Sequence, residues 1–121
     1  MDIYGIGTDL VKISRIEHAM KREQFLRRCF TAGEIVLLHN RAESAAGRWA
    51  AKEAAAKALR TGFLGFWPNE IEILRDEAGG PSVVLHGRAA ELAAQAGVTK
   101  ILISISHEGE YAVGFAAAVK E

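Results

Sequence analysis

The chain has 121 residues, half of them hydrophobic, enough to bury one core and too few for two, so residues 1–121 are expected to form a single domain. Its formal net charge is zero, which argues against nucleic acid, and no stretch approaches the ~20 apolar residues that cross a bilayer. The lone cysteine, Cys29, excludes an internal disulfide, no Cys or Cys/His spacing suggests zinc, and a reducing, cytoplasmic setting is expected.

Residues 2–8 mix β-formers with Gly5 and Gly7, whose missing Cβ atoms let backbone approach closely, and predict a strand. Leu10, Ile13, Ile16 and Met20 then recur at helical spacing, placing Asp9 at a strand-to-helix joint. Gly5-x-Gly7 lacks the third glycine and the βαβ frame of a dinucleotide fingerprint. Thr31 with Glu34 reads as a capping box opening a second helix through Leu38. Residues 42–60, rich in Ala, Glu, Lys and Arg, predict the longest helix, with Thr61-Gly62 as its stop.

Beyond Pro68, the alternation Glu70-Ile71-Glu72-Ile73, a turn over 76–81 and a run over 82–85 predict a hairpin. Residues 88–96 predict a short helix ended by Gly97, and strands over 100–106 and 111–119 meet at His107-Glu108-Gly109-Glu110. The expected order is βαααββαββ. In the last strand Ala112, Gly114, Ala116 and Ala118 share one face, which suits close packing of the alanine-rich helix. The fold class is α+β, with helices packed on an antiparallel sheet.

Charge is uneven: Lys12, Arg15, Lys21, Arg22, Arg27 and Arg28 against Glu17 and Glu23 leave residues 12–28 at +4 and the remainder at −4. Such a segment is either a solvated face or a docking surface for an acidic partner. Asp9 either caps a helix or binds a cation, and as an isolated residue the cap is the stronger reading. Trp49, Glu53 and Lys57 share a helix face, with Arg48 and Lys52 as a neighbouring stripe. Glu53 is then either half of a solvated pair with Lys57 worth ~0.3 kcal/mol, or an acid among alanines with phosphate-binding cations beside it on one narrow surface. His107 is either a functional imidazole or an exposed turn residue, and surface positions account for His18, His39 and His86.

Taken together, Gly5-Ile6-Gly7-Thr8-Asp9-Leu10, Arg15-Ile16, Trp49-Ala50-Ala51-Lys52-Glu53-Ala54, Lys57-Ala58, Thr61-Gly62 and Ser104-Ile105-Ser106-His107 through Tyr111-Ala112-Val113 resemble the holo-acyl-carrier-protein synthases. These are short, single-domain 4'-phosphopantetheinyl transferases, and the likeness runs from the first strand to the last. It implies that fold, and an enzyme that moves the 4'-phosphopantetheine moiety of coenzyme A to a serine of apo acyl carrier protein, releasing adenosine 3',5'-bisphosphate.

The resemblance further implies that Asp9 and Glu53 hold Mg²⁺ with the coenzyme A diphosphate, an arrangement that suits a cation wanting octahedral oxygen. Arg48, Lys57, Gly62 and His107 match positions around coenzyme A, and Arg15 matches an arginine that docks the carrier. Arg22, seven residues on, is expected to face the same way. The acceptor of the serine proton stays open between a metal-held water, Glu53 and His107. The family is a homotrimer with active sites between subunits. Arg60 stands where relatives usually carry glycine.

Two other readings differ in what they require. A metal-dependent phosphohydrolase wants more carboxylates than the motifs supply. A non-enzymatic docking module for an acidic protein tolerates alanine at Glu53 and ignores magnesium.

Overall fold

The computed structural model describes residues 1–121. Its elements are β1 (Asp2–Lys12), α1 (Ile13–Ala19), α2 (Glu23–Cys29), α3 (Ala32–Leu38), α4 (Ala42–Ala58), a single 3-10 turn (Pro68–Glu70), β2 (Ile71–Arg75), β3 (Pro81–Leu85), α5 (Gly87–Ala96), β4 (Lys100–Glu108) and β5 (Tyr111–Lys120). β1, β5 and β4 form an antiparallel sheet in that spatial order, and β2 with β3 forms a separate two-stranded hairpin. The α+β expectation is met.

Two sequence expectations are corrected at the N-terminal end. β1 runs four residues past Thr8 to Lys12, and Asp9 lies inside it opposite Gly114 of β5. Asp9 therefore caps no helix: Lys12 occupies the N-cap of α1 and makes no side-chain cap bond. The helical spacing of Leu10 and Ile13 coincided with the two-residue alternation of a strand in which Leu10 is exposed and Val11 buried. Four helices, not three, then precede the hairpin, because residues 20–22 turn the chain between α1 and α2.

The sheet receives α4 on its small-residue face, as the alternation in the last strand implies. A Cβ added to Gly114 would lie 2.5 Å from backbone atoms of Ala50 and Ala51, and one on Gly5 would lie 2.1 Å from the Ala58 carbonyl oxygen. Only bare backbone admits this approach. The α4 alanines divide between two cores: Ala45, Ala46 and Ala50 pack with Ile16, Phe30 and Leu38, while Ala54, Ala55 and Ala58 pack with Ile71, Ala89 and Ile101.

The capping box of α3 is present, with Thr31 Oγ1 accepting from the Glu34 amide at 3.1 Å and Glu34 Oε1 accepting from the Thr31 amide at 3.0 Å. The stop of α4 differs from expectation: the helix closes at Ala58, and the residue that turns left-handed first is Arg60, with φ +66°.

Candidate active site

The close approach of β1 to α4 continues at Gly7, where an added Cβ would lie 2.0 Å from the Ala54 carbonyl oxygen and 2.8 Å from Lys57 Cβ. Asp9 is two residues further along the same strand face, and this carries it towards Glu53 on the preceding part of α4. The two carboxyl groups meet there. Burial, then hydrogen bonding to Asp9, then its negative charge push the Glu53 carboxyl up to about 7, against the opposing pull of Arg15 and Lys57. Lys57 Nζ donates to the Thr8 carbonyl at 2.9 Å and pairs with Asp9 Oδ1 at 3.4 Å.

The chemistry of this pair suits a hard cation. Two carboxylates pressed close enough for one to keep a proton near neutrality would exchange that proton for a divalent ion. No cluster of three or more His, Cys, Asp or Glu side chains exists that would complete a protein-only cage. A pair of carboxylates leaving other positions to phosphate and water fits Mg²⁺.

Arg48 and Lys52 do not join this surface, which corrects the expectation of one narrow cationic face. Lys52 is fully buried. Arg48 is 7 % exposed and turned to the far side of α4, where Nε donates to the Ile73 carbonyl at 3.2 Å and Nη1 to Ser44 Oγ at 2.9 Å. There it lines a cleft of about 400 Å³ with Arg41, Ser44, Arg75 and His107. Burial lowers the Arg48 pKa, Glu34 opposes this, and the positive charge of Arg75 adds to it. Its donor set suits an anion: three guanidiniums and an imidazole against the single carboxylate of Glu43.

Of the residues lining this cleft, the sequence singled out Arg48 and His107 and not Arg41 and Arg75. Arg41 is the N-cap of α4 and Arg75 the last residue of β2, and neither belongs to a motif or a basic run. His107 lies within β4, paired with Ala112, and not in the turn expected to carry it, which occupies residues 109–110. Gly62 sits in the exposed loop after α4 at φ +57°, with nothing within 4 Å of where its Cβ would be.

Arg15 is exposed on α1, close enough to Glu53 to lower its pKa. Arg22 does not continue the α1 face, because that helix ends at Ala19 and Arg22 is the N-cap of α2. It instead edges a groove of about 260 Å³ with Phe25, Arg28, Trp49 and Trp67. The Arg28 guanidinium lies 4.8 Å from the centroid of the Trp67 ring.

The chain is similar to known proteins along nearly its whole length. A model of the 4'-phosphopantetheinyl transferase superfamily matches residues 5–116. A holo-[acyl-carrier-protein] synthase of Desulforudis audaxviator is 48% identical over 97% of this chain and 93% of its own, and one from Gloeobacter violaceus is 43% identical over the same shares. Among solved structures, the synthase of Neisseria meningitidis superposes with TM-score 0.89 at 32% identity, over 98% of this chain and 100% of that one. The Helicobacter pylori synthase in complex with coenzyme A gives TM-score 0.84 at 33% identity, over 94% and 99%. With a family model spanning nearly the whole chain and relatives alike along its full length, the chain belongs to the 4'-phosphopantetheinyl transferase superfamily, among the holo-[acyl-carrier-protein] synthases.

Proposed function

We propose that this protein transfers the 4'-phosphopantetheine moiety of coenzyme A to a serine of apo acyl carrier protein in the cytoplasm, with Mg²⁺ held by Asp9 and Glu53. The observation that carries the reading is the meeting of those two carboxyl groups where β1 crosses α4, with Lys57 beside them. Bound there, Mg²⁺ would offset charge that develops on the diphosphate as the phosphoester bond changes hands.

The side chains divide the remaining work. Lys57, anchored on Thr8 and Asp9, presents a cation to the diphosphate. Arg48, Arg41, Arg75 and His107 hold phosphate in the cleft across α4. Arg15 and Arg22, on separate helices, are offered to the acidic carrier, and the aromatic groove beside Arg22 extends that surface. Glu53 and His107 remain the side chains available to take the serine proton: Glu53 stands at the metal pair, His107 in the phosphate cleft.

A homotrimer with sites between subunits accounts for two further features. The carboxylate pair and the arginine cleft lie on opposite sides of α4, so one copy's cleft can serve another copy's metal pair. The sheet face away from α4 exposes Ile6, Leu10, Leu102, Tyr111 and Phe115, with Ile6 and Leu10 each 64 % accessible. A second and third copy of this chain would cover it.

The test is to incubate the protein with coenzyme A, Mg²⁺ and apo acyl carrier protein and weigh the carrier by mass spectrometry. The expected gain is one phosphopantetheine group. An unmodified carrier rejects the proposal.

A further inference from the structure

Glu34 and Lys52 form an ion pair at 2.8 Å in which both side chains are wholly buried. Lys52 Nζ donates to Glu34 Oε1, to the Pro68 carbonyl at 3.2 Å and to the Ile71 carbonyl, so every ammonium proton has an acceptor. Glu34 is equally occupied: Oε1 also accepts from the Thr31 amide at 3.0 Å, and Oε2 from the Ile73 amide at 3.0 Å. The carbonyl of that same Ile73 receives Arg48 Nε. One chain of hydrogen bonds thus runs from Lys52, next to Glu53, through Glu34 and Ile73 to Arg48.

Charges this deep are a poor way to gain stability, because apolar side chains of the same size usually hold a fold as well or better. The packing of α4 shows what they add. Its closest contacts, with β1 and β5, set alanine and glycine against backbone, and only β4 adds larger side chains, Ile101 and Ile105, to help fix the helix's rotation or height. A slide of one residue would move Glu53 by ~1.5 Å along the helix axis and turn it by ~100°, out of reach of Asp9. An ammonium with three fixed acceptors on α3, the 3-10 turn and β2 permits one rotation and one height.

We propose that Glu34 and Lys52 are positioning residues for the transfer reaction, setting α4 so that Glu53 meets Asp9 and, through Ile73, aiming Arg48 into its cleft. The inference rests on the assignment of Asp9, Glu53 and Arg48 given under the proposed function.

Two double variants test it, Glu34→Leu with Lys52→Met and Glu34→Gln with Lys52→Met, since either single change strands a buried partner. Thermal unfolding by circular dichroism reports the fold, while KM for coenzyme A and the half-saturating Mg²⁺ concentration report positioning. At least one double variant is expected to melt cooperatively near the parent, with both concentrations raised about tenfold, the range typical of groups that orient metal ligands. Parent values of both in a folded double variant overturn the role, and so does failure of both variants to fold, which assigns the pair to stability alone. A Glu53→Gln control keeps the two readings apart. Unchanged Mg²⁺ dependence in the control rejects the site itself, whereas loss there beside parent values in the double variants rejects only the positioning.

Discussion

Arg48 and Lys57 leave α4 in opposite directions, Arg48 Nε donating to the Ile73 carbonyl at 3.2 Å and Lys57 Nζ to the Thr8 carbonyl at 2.9 Å. Nine residues make two and a half turns, so the two cations point ~180° apart. If both serve one coenzyme A, they do so from different subunits. Arg48→Ala and Glu53→Gln variants, each deficient alone when assayed with coenzyme A well below the raised KM, are therefore expected to regain activity when unfolded and refolded together. In random trimers about a quarter of the interfaces pair an intact cleft with an intact carboxylate site, and about a quarter of parental activity is the expected yield. Activity no higher than that of the separate variants would place each site within one chain.

The raised carboxyl of Glu53 sets a pH dependence whose sign is fixed. Mg²⁺ must displace the proton that burial and Asp9 keep on Glu53 up to about 7. The half-saturating Mg²⁺ concentration is expected to fall about tenfold per pH unit on approaching that value from below, and to level off above it. In the metal-free protein the fold holds this proton more tightly than the unfolded chain does. Its contribution to stability is therefore full below the ordinary value of 4.5 and is lost as pH rises through about 7. Melting curves of metal-free protein between those limits check the second effect, and Glu53→Gln should flatten it.

Arg75 and Arg41 line the same cleft as Arg48 without the buried stem and backbone bond that tie Arg48 into the fold. Arg75→Ala and Arg41→Ala are each expected to raise KM for coenzyme A about tenfold, near the ~1.5 kcal/mol of a hydrogen bond to a charged group, with kcat little changed. Arg48→Ala should raise KM and lower the melting temperature as well. Steady-state kinetics beside thermal melts separate the two classes.

The parts of the fold legible in the sequence were those with one dominant period or a cap. The alternation of β5 foretold the helix it receives, and Thr31 with Glu34 foretold the start of α3. The break between α1 and α2 was not legible, because residues 20–22 contain neither glycine nor proline and the turn there answers to packing against α4. At the site, the family motifs pointed to Asp9 and Glu53 before any geometry did. What local sequence withheld was which face each cation takes: Lys52 reads like Lys57, yet one is buried on Glu34 and the other is exposed beside Asp9.

On the outer sheet face, cross-strand registers set Ile6, Ala117 and Leu102 in one row and Thr8, Phe115 and Ser104 in the next. Phe115 is 45 % exposed in the single chain. Phe115→Asp or Ile6→Asp places a carboxylate where a neighbouring copy would have to desolvate it, and removes no contact from the core. Either change is expected to shift the protein to monomer in light scattering behind size exclusion, with transfer activity lost and far-ultraviolet circular dichroism preserved. An unaltered mass would reject this face as a contact between copies of the chain.

Arg60 occupies a left-handed position, φ +66°, which disfavours any side chain by roughly 1 kcal/mol relative to glycine. The side chain offsets that cost. Its guanidinium lies 4.5 Å from the centroid of the Tyr4 ring, and Nη2 donates to the Tyr4 carbonyl at 2.6 Å, strapping the end of α4 to β1. Alanine at this position loses the strap and keeps the strain, whereas glycine loses the strap and relieves it. Arg60→Gly should therefore be more stable than Arg60→Ala by about 1 kcal/mol and lie closer to the parent. Urea unfolding of the three proteins measures the order directly. An alanine variant as stable as the glycine variant would mean that the backbone leaves the left-handed region once the strap is cut.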